Sequence, residues 1–352
     1  MSVEIIKPGL SSSLQDGGRF GYQSLGVGRA GAMDGPAWQL ANALVGNSQG
    51  EAAIECTMIG PSLRFEQPAV IALTGAPMKA AVEELVLPMW TTCLLPAGSV
   101  LRLGGMSMGC RSYLAVRGGF AVTPLLGSRS SDMHARIGHE HGRALRAGDV
   151  LPLGTAEPLV DLAQSNELHV LGWSLDPQPW FDFNPQPLAL LRGSHDAQLD
   201  AVSRRLLYGE NFVVSQQGNR TASRLDGHAL HLQAPFEMIS EAALPGTLQL
   251  PPSGQPIVLM AEAPVTGGYP RIGQLAAVDL PRLAQRRPGD TVCFRDSSMD
   301  EALGRLAARQ QRLARLIDTI AQRLQDIDPI QDRPIRDRLK SIRRERTPMD
   351  RS

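Results

Sequence analysis

Up to about residue 296 the chain is a succession of short β-prone runs, each cut off within a few residues by glycine or proline. Candidate strands are Ala69–Thr74, Ser99–Leu103, Arg111–Val116, Leu168–Leu171, Phe212–Val214, Gly246–Leu250, Pro256–Met260 and Thr291–Phe294. Pro96-Ala97-Gly98, Ala147-Gly148-Asp149 and Pro288-Gly289-Asp290 are the turn signals that close several of them. Many short strands with few helices between them predict barrels or sandwiches, not an alternating βα fold. A proline-rich stretch from Pro177 through Pro187 marks a boundary between two β-rich units, set at 1–165 and 166–296.

Three helices are expected against this background. Asp34-Gly35-Pro36 opens the first, with Ala37, Leu40, Ala41 and Leu44 on one face and Gly46 just past its end. Ser194 is placed to cap the second, where Leu199, Val202 and Leu206 keep helical spacing. The third, over 298–328, carries Leu303, Leu306, Gln310, Leu313, Ile317, Ile320, Leu324 and Ile327 at alternating steps of three and four. That is an a/d seam. It fits self-association through Leu303–Ile327 or a long amphipathic cover on the β-body. Pro329 ends it, and the mixed-charge segment 329–352 is expected to be disordered.

Composition excludes several functions. Net charge is zero and no apolar run approaches a membrane span, so neither nucleic acid nor a membrane is an expected partner. Four scattered cysteines and no signal-peptide layout fit reduced thiols and a cytoplasmic location. Lys7, Lys79 and Lys340 are the only lysines and none follows a glycine, which rules out a P-loop. His139-Glu140-His141 lacks the spacing and further ligands of a metal centre, and none is assigned.

Two glycine-rich blocks carry the polar chemistry: Gln15-Asp16-Gly17-Gly18-Arg19-Phe20-Gly21-Tyr22 and Thr266-Gly267-Gly268-Tyr269-Pro270. Glycine lets backbone N–H groups approach a ligand, and the flanking side chains supply directional contacts. Tight turns would use the same residues.

Further motifs accompany them in order: Gly31-Ala32-Met33-Asp34, Ala41-Asn42, Glu55-x-Thr57-x-x-Gly60-Pro61, Arg117-Gly118-Gly119, Gly127-Ser128-Arg129-Ser130, Gly142-Arg143, Asn219-Arg220 and Arg224-Leu225-x-Gly227. Over roughly residues 3–295 the chain resembles the KipA family, the carboxyltransferase subdomain A/B or allophanate hydrolase subunit 2 family. The resemblance implies a mainly β fold of two cyclophilin-like β-barrel subdomains. It further implies the C-type component of an ATP-dependent 5-oxoprolinase, working with a KipI-like protein and a LamB/YcsF-like protein as the other two components. ATP with Mg²⁺ is then the co-substrate, at or across the partner interface. Covalent biotin is not expected, because Lys79 follows Met78 but precedes Ala80 where a biotinyl site has a second methionine, and no biotinyl domain surrounds it. Two other readings stay open: a non-catalytic module that binds a KipI-like kinase inhibitor, and a carboxyltransferase fed by a separate carboxybiotin carrier. The chain departs from the family in Asn219-Arg220-Thr221-Ala222, where only Arg220 is kept, and at Glu262-Ala263-Pro264-Val265, which marks a divergent site.

Opening a lactam needs a base, cationic clamps and donors for a developing oxyanion. Arg19 is the leading clamp, with Arg117 and Arg129 as further cations; each can equally hold loop carbonyls. Ser128 can bind anions, but no His/Asp partner supports a nucleophilic serine. Asp34 is either the base that activates water or the N-cap of its helix, and a cap would hold it ionised. Glu55, in an apolar run, is a carboxyl with a raised pKa or one paired to arginine. Gln15 and Asp16 can bind an amide edge or shape a turn. Asn42 can orient a carbonyl or bond the helix end. Thr266, Gly267, Gly268 and Tyr269 read as ligand contacts or as a turn.

Overall fold

A computed structural model of the chain describes residues 1–157, 159, 167–181, 186–236 and 238–327. Segment 329–352 therefore lies outside the described residues.

The first body is built from β1 (Ser2–Lys7), β2 (Ser11–Gln15), β3 (Ala53–Thr57), β4 (Ser62–Phe65), β5 (Ala69–Gly75), β6 (Met78–Val82), β7 (Leu85–Leu87), β8 (Thr92–Leu95), β9 (Val100–Met106), β10 (Arg111–Val116), β11 (Val150–Pro152) and β12 (His169–Val170). They form two sheets, ordered β11-β1-β4-β9-β6-β7 and β12-β8-β5-β10-β3-β2. Val3, Ile5, Leu63, Phe65 and Leu101 of the first meet Leu14, Ile54, Leu73 and Leu114 of the second in one buried core. Each such side chain contributes on the order of 2 kcal/mol by leaving water.

Strand alternation then decides where the polar residues go. Ser13 pairs with Glu55, and Glu55 with Tyr113, which pairs in turn with Thr74. Paired residues share a face, so these four point away from the core that Leu14, Ile54, Leu114 and Leu73 fill. The outer face so formed is covered. Helix α1 (Gly35–Leu44) lies on it, with Ala37, Leu40, Ala41 and Leu44 buried as its pattern predicts. Thr74 donates to the Ala37 carbonyl at 2.7 Å and Thr92 to that of Leu44 at 2.6 Å, fixing both ends.

The second body holds β13 (Leu188–Arg192), β14 (Phe212–Val214), β15 (Ala222–Asp226), β16 (Glu241–Ala242), β17 (Thr247–Gln249), β18 (Ile257–Leu259), β19 (Thr266–Gly267), β20 (Arg271–Leu275), β21 (Thr291–Val292) and β22 (Phe294–Asp296). Eight of them form one sheet, β21-β14-β15-β18-β17-β20-β13-β22, and β16 pairs with β19 apart from it. Its core includes Leu190, Phe212, Leu248 and Phe294. The mainly β expectation holds, with a nearly closed barrel and four helices among the described residues. None of those helices is long and apolar enough to cross a membrane.

Four local expectations change. β12 at His169–Val170 pairs with β8, so the first body's sheet runs past residue 165. The expected strand Thr291–Phe294 is split into β21 and β22, which pair with different strands. Asp200, not Ser194, caps α2 (Ala201–Gly209): its carboxylate accepts the Ser203 N–H at 2.6 Å, and a separate turn covers Asp196–Gln198. Finally, the seam of the C-terminal helix is used within the chain. After the short α3 (Leu280–Ala284), α4 (Met299–Gln325) packs Ala302 and Leu306 on the second body. Farther along, it packs Leu313, Ile320 and Leu324 on α1. Leu303, assigned to the seam, is 55% exposed, because Ala302 takes the inward position. Self-association through Leu303–Ile327 therefore has no free apolar seam to use. Instead α4 ties the two bodies together, aided by Arg305, whose guanidinium donates twice to Asp279 at 2.9 Å.

Candidate functional site

Where the polar outer face of the first body meets the second, buried charges concentrate. Glu55 Oε2 accepts the Tyr113 hydroxyl at 2.7 Å and the Met33 N–H at 2.9 Å. Its Oε1 takes an ion pair from Arg220 and lies 3.7 Å from Arg111 Nε. Arg220 comes from the second body, where its Nε also donates to Glu262 at 2.5 Å; Nη2 reaches the Gly31 carbonyl at 2.6 Å. Glu262, where the sequence leaves its family pattern, thus binds Arg220, the one residue of its own divergent segment that keeps it. Burial alone would raise Glu55, but Arg220 and Arg111 outweigh it and hold the carboxyl below its ordinary value. The alternative of a Glu paired with arginine applies, not a raised pKa.

Asp34 shows the opposite balance. It is the N-cap of α1, accepting Ala37 N–H at 3.2 Å, and its other oxygen accepts Gln285 Nε2 at 2.8 Å. The cap motif alone predicts an ionised carboxylate. Full burial instead pushes its pKa up to about 6, because the Gln285 and Ala37 bonds and the more distant Arg309 offset only part of the desolvation cost. Tyr113 links the two carboxyls: it donates to Glu55 and accepts the Asp34 N–H at 2.7 Å. Neither Tyr113 nor Gln285 stands out in the sequence motifs. Tyr113 lies in the expected strand Arg111–Val116, but its register with Glu55 appears only in the folded sheet; Gln285 has no signal.

The first glycine-rich block forms a second polar centre. Asp16 Oδ1 accepts from Gly18 N–H at 2.8 Å, Ser128 at 2.6 Å and Ser130 at 2.5 Å, while Oδ2 accepts Arg129 N–H at 2.6 Å. Asp16, Ser128 and Arg129 are therefore brought together, and they hold the loop beneath Arg19. Gly18 and Gly31 pack backbone to backbone: a Cβ on Gly31 would sit 2.9 Å from Gly18 N, and both residues have positive φ. Arg19 is 1% exposed, and its Nη2 donates to the Ser130 carbonyl at 2.5 Å. Its Nε and Nη1 have no partner among the described residues. Burial lowers its pKa, against the opposing field of Asp132, Asp16 and Glu262. Gln15 is similarly incomplete. Its Nε2 donates to Ser13 and to the Ser131 carbonyl, at 2.9 Å each, but its buried Oε1 is unpartnered among the described residues.

Other expected contacts lie elsewhere. Asn42 is occupied by the Glu51 carbonyl at 3.0 Å and by Asn47 at 2.9 Å, and so closes the end of α1. Arg117 donates to the Val45 carbonyl at 2.8 Å and serves the same helix end. Thr266 and Gly267 form β19 against β16. Gly268 and Tyr269 line a groove with Phe236 and Pro251, away from Glu55. The first loop does meet the second block's approach, since a Cβ on Gly28 would lie 3.1 Å from the Ala263 carbonyl. Between the bodies, beside Arg220 and Arg111, opens a cavity of about 310 Å³. No cluster of three metal-ligating side chains occurs among the described residues.

Residues 25–296 match the model of the family described as carboxyltransferase domain, subdomain A and B. The chain is 37% identical to the C-type subunit of 5-oxoprolinase from Escherichia coli K12, over 92% of its own length and 98% of that protein. It is 34% identical to the corresponding 5-oxoprolinase protein of Haemophilus influenzae, over 85% and 93% respectively. Among solved structures it is similar to the urea amidolyase of K. lactis, with a TM-score of 0.78 and 26% identity. That match covers 91% of this chain and 20% of the other.

Proposed function

Because the chain belongs to the carboxyltransferase subdomain A and B family, we propose that it works as the C-type subunit of an ATP-dependent hydrolase that opens the lactam of 5-oxoproline to glutamate. The observation that carries this reading is coverage. The chain matches the E. coli 5-oxoprolinase protein over 98% of that protein's length, but only a fifth (20%) of a urea amidolyase. Its partners under this reading are a KipI-like protein and a LamB/YcsF-like protein, in the cytoplasm.

The chemistry that fits is phosphorylation of the lactam oxygen by ATP, with Mg²⁺, at or across the partner interface. Water then adds to the activated carbon and the ring C–N bond breaks, leaving a γ-glutamyl phosphate; a second water releases phosphate and leaves glutamate. Arg19, buried with two nitrogens unpartnered, is the clamp for a developing negative charge. Gln15 offers a carbonyl to an amide N–H. Asp34, with its pKa near 6, is the proton acceptor, since it can exchange a proton near neutral pH. Glu55 is held ionised and positions Tyr113 and Arg220 around it.

Co-expression with the KipI-like and LamB/YcsF-like partners tests the reading. ADP release that requires 5-oxoproline and all three proteins, with glutamate in equal amount, is the expected result. A stable complex with no release dependent on 5-oxoproline would overturn it.

A further inference from the structure

The cavity between the two bodies has a chemistry distinct from the Arg19 loop. Arg111 and Arg220 stand in its wall, Arg286 is a third guanidinium there, and no Asp or Glu lines it among the described residues. The carboxylates that balance the arginines, Glu55 and Glu262, lie behind Arg220. Arg220 has all three nitrogens engaged, by Glu262, Glu55 and the Gly31 carbonyl. Arg111 does not. It is 7% exposed, its Nη1 donates to the Ala284 carbonyl, and its buried Nε makes no hydrogen bond among the described residues. Its nearest carboxylate oxygen, Glu55 Oε1, is 3.7 Å away and already taken by Arg220. One oxygen facing two guanidinium groups leaves Arg111 short of an acceptor.

The remaining wall is apolar and adaptable. Met33, Met58, Met133 and Met260 line it from both bodies. Thioethers shape themselves to a compact hydrocarbon ring. A volume of about 310 Å³ admits a small molecule and lies at the lower end of ligand pockets, roughly 300 Å³ upward.

We propose that this cavity binds a small monocarboxylate, its carboxylate on Arg111 and its ring against the four methionines. Under the hydrolase reading, on which the identity of the ring rests, the occupant is 5-oxoproline, and Arg111 selects it over amides that lack a carboxylate. Arg111 then sets specificity through binding and takes no part in proton transfer.

The experiment is a titration of the full chain, labelled at its methionine methyls, with 5-oxoproline and with 2-pyrrolidinone, the same ring without the carboxylate. 5-Oxoproline is expected to shift the methyl signals of Met33, Met58, Met133 and Met260 saturably. 2-Pyrrolidinone should bind at least tenfold more weakly. Arg111→Met should weaken 5-oxoproline about tenfold to a hundredfold, as expected when a charged hydrogen-bond partner is lost. Met133→Trp, which fills the cavity and leaves Arg111 unsubstituted, should also weaken it and covers the case in which the first variant fails to fold. Equal binding of the two rings, or shifts confined to other methionines, would overturn the proposal. If the assembled complex hydrolyses 5-oxoproline despite that result, the hydrolase reading stands and this site falls. If the carboxylate binds here and no hydrolysis follows, the site stands and the hydrolase reading falls.

Discussion

Tyr113 and Glu55, on neighbouring strands β10 and β3, share a 2.7 Å hydrogen bond on the outer face of a sheet. The same hydroxyl accepts the Asp34 N–H, so one phenol joins an ionised carboxylate to a helix start. Tyr113 is fully buried and its pKa is raised well above the ordinary value by burial and by Glu55 and Asp34. It works as a neutral connector. Replacing it with Phe leaves a buried Glu55 oxygen and the Asp34 N–H each short one partner. Tyr113→Phe should cost about 1–3 kcal/mol, read by urea unfolding. No measurable loss would mean that the connection is not needed.

Arg220 is the bridge between the two bodies. Its removal strands Glu55 with the distant Arg111 as its remaining cation. Arg220→Met should therefore destabilise the chain by about 3–5 kcal/mol, since a buried carboxylate is left uncompensated. Adding Glu55→Gln to that variant should recover a substantial part of the loss. Additive losses in the double variant would count against the pairing.

Asp34 gives stability a particular pH dependence. Its pKa rises from 3.8 to about 6 on folding. Between those values the folded chain holds more of this proton than the unfolded chain, so the contribution falls as pH climbs. It is complete below about pH 4 and lost above about pH 6, a change of about 3 kcal/mol for a shift of two units. The stability of the wild type minus that of Asp34→Asn should decline across that window. A difference that is flat or rises with pH would contradict the buried-acid assignment.

Arg19 separates function from stability. Its side chain makes one hydrogen bond while two nitrogens wait without partners among the described residues. Arg19→Met should reduce substrate-dependent ADP release by about a hundredfold or more, the scale of a lost charge-stabilising donor. Unfolding free energy should change by less than about 2 kcal/mol. Equal, severe loss of fold would identify Arg19 as a loop brace.

The C-terminal helix tests as an internal strap. Ile320, 1% exposed against α1, should cost about 2–4 kcal/mol when truncated to Ala. Leu303→Ala, at a 55% exposed position, should cost under about 0.5 kcal/mol. Both losses should be independent of protein concentration; a loss that shrinks as concentration rises would restore the self-association reading.

The short runs between Gly and Pro are enough to give a mainly β chain, and the spacing of Ala37, Leu40 and Leu44 gives α1 its buried face. The a/d seam locates α4 but leaves its target open, because the same apolar stripe serves a second copy or the chain's own body. Ala302, one residue before the seam position Leu303, decides the matter by packing inward on the second body.

Chemistry-bearing residue types are legible: Arg19, Asp34 and Glu55 are all marked by their motifs. Their protonation is not. A cap motif says that Asp34 accepts an N–H; only the packing of α1 and Gln285 over it makes desolvation the larger effect. An apolar run says that Glu55 is buried. That Arg220, 165 positions away, neutralises it depends on how two separately folded sheets meet. Local pattern fixes which face a side chain takes, because strand and helix periods are short-range. What stands opposite that face is settled by long-range packing, and there the ordering of the two carboxyl pKa values, the pairing of Arg220 with the divergent Glu262, and the arginine-walled cavity arise.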